Sequence, residues 1–508
     1  MATATAGAPG TGSAPGDKGL KTGAIGFVSG VVIGVASTAP GYSLAASLGF
    51  IIGITGIGLQ APAVMIVAFI PMLFIAAAYY WMNRADPDCG TTFSWVTKAM
   101  GPWLGWMGGW GIACAGTIVM ANLAQIAGLY TFLLFDWTSA AESTLAVTAV
   151  GVVFIIVMSW ICVIGIELSA KTQVGLLGAE LITLALFAIV ALVRVYAGDA
   201  GPNAIEPAFS WFNPFEISSL SALTAAVLIA VFIYWGWDST VTVNEETEDP
   251  SEAPGRAALV STVILVLIYV LVSVAAQAFD GPAALADQED ALSVLAGDVF
   301  GSPLDKLVII AVLTSSAASC QTTILPNART ALSMARAGAF PKPLGDVSPR
   351  YLTPHVATVV FAALAIIWYV GLTLISENIL FDSIAALGLM IAFYYALTGF
   401  ACVIYYRREL LHSVRTFLFV GVAPMIGSVL LTYLFVKSCV DLSKPENSES
   451  GQSWFGVGPP LIIGLGLLGV GVVLMLIWRA MGHKEFFQRK TEVADPAIIA
   501  GAPAGGSA

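Results

Sequence analysis

The sequence predicts an all-α integral membrane protein of about twelve transmembrane helices, the first and sixth of them broken. Three observations carry this. Of 508 residues, 58% are hydrophobic and 10% charged, against about 25% charged in a soluble domain, so there are too few polar side chains to cover a water-facing surface. Apolar segments of about 20 residues, the length that crosses a ~30 Å hydrocarbon layer, recur along the whole chain. Two of those segments contain residues that a continuous helix in lipid does not accept.

The segments are read at 23–50, 55–82, 101–135, 144–165, 172–197, 218–243, 257–279, 303–330, 355–375, 379–406, 414–437 and 456–480. Ahead of the first stands "MATATAGAPGTGSAPGDKGLKTG", small, polar and rich in Gly, Pro and Thr. It lacks the apolar core and cleavage site of a signal peptide, so the first segment is expected to be retained. Residues 1–22 and the low-complexity end of 481–508 are expected to form tails without fixed structure.

Orientation follows from the basic residues. With a cytoplasmic N-terminus, only Arg194, Lys306, Lys437 and Lys444 of the 21 Lys and Arg fall outside. This positive-inside bias puts both tails in the cytoplasm, at a plasma (inner) membrane. Outer loops collect Asp280, Asp287, Glu289, Asp290 and Asp298, part of the formal charge of -11. No basic groove suggests nucleic acid. The six cysteines show no CxxC spacing and read as small apolar fillers; no metal or cofactor is expected. His355, His412 and His483 fall at helix ends or in inner loops, which argues against a histidine proton relay at mid-membrane.

The interruptions are specific. In "IGVASTAPGYSLAASLG", Pro40 removes an amide donor and disfavours helix at Ala39. In "FIYWGWDSTVTVNEETEDP", Gly236 and Asp238 fall near mid-span. Backbone that leaves the helix inside a bilayer survives only where protein or a water-filled cavity satisfies it. Gly and Pro also make simple kinks in membrane helices. Paired breaks in the first and sixth segments, however, are the pointer to an inverted-repeat transporter with its substrate where the half-helices meet.

Three stretches resemble the amino acid–polyamine–organocation (APC) permeases. "FIYWGWDSTVTVNEETEDP" is similar to their sixth helix and the acidic loop after it. "TTILPNARTALSMARAGAFPKPL", with Pro349, Arg350 and Pro354 beyond it, resembles their eighth helix and loop, and "CGTTFSWVTKAMGPWLGWMGGW" their second-to-third helix connection. The resemblance covers roughly residues 23 to 406. It implies a LeuT-like fold: a first repeat over 23–197, an inverted second repeat over 216–406, and two further helices over 414–480. It also implies uptake or exchange of amino acids or amines by alternating access.

Carried onto this sequence, the resemblance implies a substrate site of Ser37, Thr38, Ala39, Pro40 and Gly41 from the first helix with Phe232, Tyr234, Gly236 and Trp237 from the sixth. Half-helix ends support this independently, since exposed amides suit a carboxylate and exposed carbonyls an ammonium. Glu180 lies about 13 Å along its helix from Lys171, close to mid-membrane. Many relatives carry lysine there, so lysine-type coupling is in doubt and a titratable acid stands in its place, for proton coupling or as a structural strut. Asp238 has the same two readings. Thr314, Ser315 and Ser316 are either a sodium site, as in sodium-coupled relatives of this fold, or packing hydroxyls. The cluster Asn244, Glu245, Glu246, Glu248 and Asp249 is expected to be a solvated inner loop that meets Arg329, Arg336 or Arg350 and closes the inner side in one state.

No H-E-x-x-H, G-x-S-x-G or phosphate-binding loop points to an enzyme. A nutrient sensor on this fold would add a soluble domain, for which the tails are short. The expected function is a secondary transporter of amino acids, coupled to protons or to sodium, with a polyamine or basic amino acid carrier as the alternative.

Overall fold

A computed structural model of the chain describes residues 18–494 except 287, 289 and 449; the acids Asp287 and Glu289 therefore lie outside the described residues. The described residues form helices joined by turns and by longer connections such as 198–219 and 337–354. The first span is split into α1 (Phe27–Ser37) and α2 (Pro40–Gly53). The second is α3 (Ala61–Ala85), followed by a short helix α4 (Thr92–Met100) and the long third span α5 (Pro102–Leu134). A turn, α6 (Thr138–Ala141), leads to α7 (Thr144–Ile164) and α8 (Ile166–Ala197), separated by Gly165 alone. The sixth span is again split, into α9 (Leu220–Ile233) and the one-turn α10 (Ser239–Thr242).

Next come α11 (Ala253–Leu285), the shorter α12 (Ala291–Phe300) and α13 (Lys306–Arg336). Spans nine and ten are α14 (His355–Ile375) and α15 (Glu377–Tyr405). The eleventh begins at α16 (Val414–Thr416), passes a π-helical stretch over Phe417–Val422 and continues as α17 (Ala423–Asp441). The twelfth is α18 (Pro459–Ala480), with α19 (Lys484–Phe487) after it. Eleven helical stretches among the described residues are long and apolar enough to cross a membrane. The broken sixth span, whose longer half has 14 residues, completes the expected set.

Local chemistry sets several boundaries. Pro40, Pro102 and Pro459 stand in the first turn of their helices, where the missing N–H costs nothing. Ser143 and Ser219 cap α7 and α9 by accepting from Ala146 and Ala222 N–H.

Burial separates inner from outer helices. The apolar stretch of α5 is 89% buried and that of α1–α2 83%, against 33% for α7 and α14 and 22% for α18. The broken first span thus lies inside the bundle, where α1 packs on α8, α11 and α13, and α2 on α9, α11 and α13. Residues 18–25 and 481–494 are packed on one end of the bundle. Arg336 donates to Lys18 O at 3.3 Å and Arg489 to Ala337 O at 3.0 Å, so both described chain ends share that side.

Candidate functional site

The two breaks touch. Ala39 adopts a left-handed backbone (φ 47°) between α1 and α2, and Gly236 takes φ 120° in the unwound Tyr234–Asp238 stretch. A Cβ on Gly236 would lie 2.5 Å from Ser37 O and 3.1 Å from Thr38 N, so only glycine permits this approach.

The freed backbone groups are satisfied by named partners, as hydrocarbon surroundings require. Ser319 of α13 donates to Ser37 O at 2.8 Å, and Ser43 to Thr38 O at 2.7 Å. Tyr42 N–H donates to Ser315 Oγ at 3.2 Å, and Gly41 N–H to Glu180 Oε1 at 2.6 Å. Across the breaks, the Ser37 and Ser239 hydroxyls lie 2.7 Å apart, and Tyr269 of α11 donates to Ile233 O.

Beside this junction lies a cavity of about 10 Å³, room for about one water. Its wall is two-sided. Ser37, Thr38, Ala39, Tyr42 and Ser43 of the first span and Ser319 of α13 supply hydroxyls and unwound backbone, while Val119, Leu123, Phe232 and Trp235 supply apolar surface.

Of the residues proposed from the sequence, Ser37, Thr38, Ala39 and Phe232 line this cavity. Pro40 and Gly41 are buried at the start of α2. Tyr234 points away, donating to Met65 O at 3.0 Å and packing edge-on against Tyr269. Trp237 is buried against Tyr79 and Tyr395, with ring centroids 5.1 and 5.3 Å away, and its Nε1–H has no hydrogen-bond partner among the described residues.

Glu180 and Asp238 are both buried and neither lines the cavity. Glu180 caps α2 from α8; its Oε2 has no hydrogen-bond partner among the described residues. Asp238 faces α15, accepting from Tyr395 at 2.9 Å and Tyr394 at 3.3 Å. Tyr394 in turn accepts from the Trp235 indole, so Asp238 connects to the cavity wall through two side chains. Of the three hydroxyls on α13, Thr314 and Ser316 bond carbonyls of their own helix and only Ser315 reaches the break. Tyr42, Ser43, Val119, Leu123, Trp235 and Ser319 were not singled out from the sequence; Trp235 stands inside "YWGW", and Ser319 lies one turn beyond Ser315.

The basic end of the bundle is sealed. Ala24 and Ile25 N–H donate to Glu246 O at 2.8 and 3.0 Å, so the segment before α1 runs along the loop after the sixth span. Glu246 accepts two bonds from Arg329, at 2.6 and 2.8 Å, with both side chains no more than 1% exposed. Lys18 reaches Asp88 at 2.9 Å, Glu245 at 2.5 Å and Cys89 Sγ at 3.5 Å. Asp88, Cys89 and Glu245 are close enough to share a metal ion, but the Lys18 ammonium bonds all three. Burial opposes charge on Lys18 and Asp88, yet the negative groups hold the ammonium well above its ordinary range, and Lys18 holds the Asp88 carboxyl well below the carboxylate range.

Comparison with known proteins accords with this geometry. A 277-residue match to an uncharacterized transporter of Mycobacterium tuberculosis is 27% identical and covers 54% of this chain and 58% of that one. The serine/threonine exchanger SteT of Bacillus subtilis is 25% identical over 67% of this chain and 75% of its own. The branched-chain amino acid permease BcaP of Lactococcus lactis is 24% identical over 58% of this chain and 64% of its own. The pattern of the amino acid permease family matches residues 22–468, and the chain belongs to that family.

Proposed function

We propose that the protein is a secondary active transporter that imports or exchanges neutral amino acids across the plasma membrane by alternating access, with Glu180 as the proton-coupling group. The carrying observation is the cavity at the junction of the two broken helices, with hydroxyls on one wall and apolar and aromatic groups on the other. That division suits a small zwitterion with an uncharged side chain. Neither Glu180 nor Asp238 lines the cavity, which favours a neutral amino acid over a polyamine. The names of two relatives, a serine/threonine exchanger and a branched-chain amino acid permease, point the same way.

In this reading residues 23–197 and 216–406 are the two inverted repeats, and the sealed basic end faces the cytoplasm together with both tails, as its Lys and Arg favour. Opening toward the cytoplasm requires the Glu246–Arg329 and Lys18 contacts to part. Glu180 holds the N-terminus of α2 by one oxygen, while the other has no hydrogen-bond partner among the described residues. An ionised acid so placed has only part of its charge compensated, and gain or loss of a proton there changes how firmly α2 is held.

Counterflow tests the reading. Proteoliposomes preloaded with an unlabelled amino acid should accumulate the labelled form transiently. Absence of counterflow with every neutral amino acid, in protein that remains folded, would overturn it.

A further inference from the structure

A second cavity adjoins the first. It measures about 30 Å³ and lies between α9, α15 and α17. Leu228, Val231 and Phe232 line it from the sixth span, Gly388 and Ala392 from the tenth and Leu434 from the eleventh. Phe232 belongs to both walls, so this residue stands between a chamber lined by several hydroxyls and a mainly apolar one, where Ser438 of the eleventh span adds a single hydroxyl.

The recess depends on two small residues. Gly388 and Ala392 stand one turn apart on the same face of α15. Close packing accounts for some glycines near the recess: a Cβ on Gly464 would meet Leu389 at 2.6 Å, and one on Gly427 would meet Phe74 at 3.1 Å. A Cβ on Gly388 would meet nothing within 4 Å. Glycine inside a helix is less favourable than alanine, and at Gly388 no helix contact demands it; what its missing side chain leaves is space beside Phe232.

We infer that this recess receives the side chain of the transported amino acid, and that the carrier therefore prefers bulky apolar substrates of the leucine, isoleucine or phenylalanine type. The inference rests on the amino acid reading above. The backbone groups of the substrate stay at the helix breaks, Phe232 turns aside, and the side chain passes into the space between α9 and α15. The central cavity alone is too small for such a side chain. The recess is the larger of the two, shares Phe232 with it, and apart from Ser438 is lined by apolar residues.

The experiment measures kcat/KM for leucine, phenylalanine and alanine in proteoliposomes. In Gly388→Val, branched methyl groups occupy the recess, and the leucine-to-alanine ratio should fall at least about tenfold, the scale on which a pocket discriminates methylene groups. Gly388→Ala should fall between this and the parent. Leu434→Ala, on a helix absent from the central wall, enlarges the recess and should raise the phenylalanine-to-leucine ratio; it keeps the test open if the valine variant folds poorly. Equal losses for all substrates, unchanged ratios, or a parent that carries alanine but not leucine would each overturn the recess while leaving amino acid transport standing. Transport of no amino acid by the parent would overturn both.

Discussion

Replacing Glu246 with glutamine should unseal the basic end. The carboxylate and the Arg329 guanidinium are buried together and joined by two bonds of 2.6 and 2.8 Å. Removing one partner of a buried pair costs about 3–5 kcal/mol, because the other charge is left uncompensated. Glutamine keeps one acceptor oxygen, and a hydrogen bond to a charged group recovers about 1.5 kcal/mol or more. About 1.5–3.5 kcal/mol is left against the closed form, provided water reaches Arg329 in the open one. At about 1.4 kcal/mol per tenfold, the open-to-closed ratio rises about 10- to 300-fold. Cys89 reports this directly. Its thiol is buried beneath Lys18 and donates to Arg329 O at 3.6 Å. Burial first, and the Glu245 charge next, push its pKa well up, so it is unreactive while the seal holds. With the partly exposed Cys439 changed to serine, Cys89 should react with a membrane-impermeant maleimide faster by the same factor in Glu246→Gln. The double variant Glu246→Gln, Arg329→Met removes the stranded charge and should recover much of the protection. Labelling within twofold of the parent, in folded protein, would refute the reasoning.

Two predictions concern neighbouring contacts. Gly236→Ala places a methyl 2.5 Å from the Ser37 carbonyl oxygen at φ 120°; backbone strain of about 1–3 kcal/mol and separation of the breaks should cut counterflow more than tenfold in a monodisperse protein, and uptake at the parental rate would remove that contact from the site. Lys18→Gln should also speed Cys89 labelling, because Asp88 and Glu245 lose their shared cation. The pH dependence of this contact follows from the shifts. Lys18, raised when folded, stabilises fully below the ordinary lysine value of about 10.4 and loses this only as pH rises through its folded value. Asp88, depressed, stabilises above about 3.9 and loses this as pH falls through its lower folded value. Cys89 protection, normalised to denatured protein, should therefore be flat between about pH 5 and 9, and a step inside that window would contradict the pairing.

The breaks were legible because their chemistry is local. Pro40 cannot continue a hydrogen-bonded helix, and Gly236 permits a conformation other residues avoid. What fills the space around them was not local. Once the backbone unwinds, the 3.6-residue period no longer says which way a side chain points, so Tyr234 and Trp237 could not be distinguished from Trp235. Ser319, Tyr394 and Tyr395 act on the site from spans far along the chain, and only the packing of α13 and α15 against the breaks brings them there. The acidic loop meets Arg329 as its charges suggest, yet it is not the solvated loop its composition implies, because Asn244 and Glu246 are fully buried; Lys18 and Leu20 likewise sit in a stretch whose polar, glycine-rich composition pointed to disorder. Leu20 is nonetheless buried with Cys89 and Leu332, because a single apolar residue beside one well-paired lysine suffices to hold a short segment.

The same geometry sharpens the test of Glu180. In Glu180→Gln the side-chain carbonyl can still accept from Gly41 N–H, where the carboxylate does so at 2.6 Å, so the N-terminus of α2 keeps its cap. The amide then presents two protons where Oε2 has no partner among the described residues, a local cost of about 1–3 kcal/mol for unpaired donors that lowers stability without emptying the site. The side chain is now permanently neutral. A purely structural Glu180 would then leave uptake driven by a pH gradient near the parental rate once adjusted for the amount of folded protein. A coupling Glu180 predicts a split: counterflow persists, because binding and the conformational cycle remain, whereas accumulation above equilibrium under an imposed pH gradient disappears. Replacing sodium with a large organic cation should change neither variant, since of Thr314, Ser315 and Ser316 only Ser315 reaches the break, where it accepts from Tyr42 N–H. Full pH-driven accumulation by the glutamine variant would exclude Glu180 as the coupling group and leave Asp238, joined to the cavity through Tyr394 and Trp235, as the acid to test next.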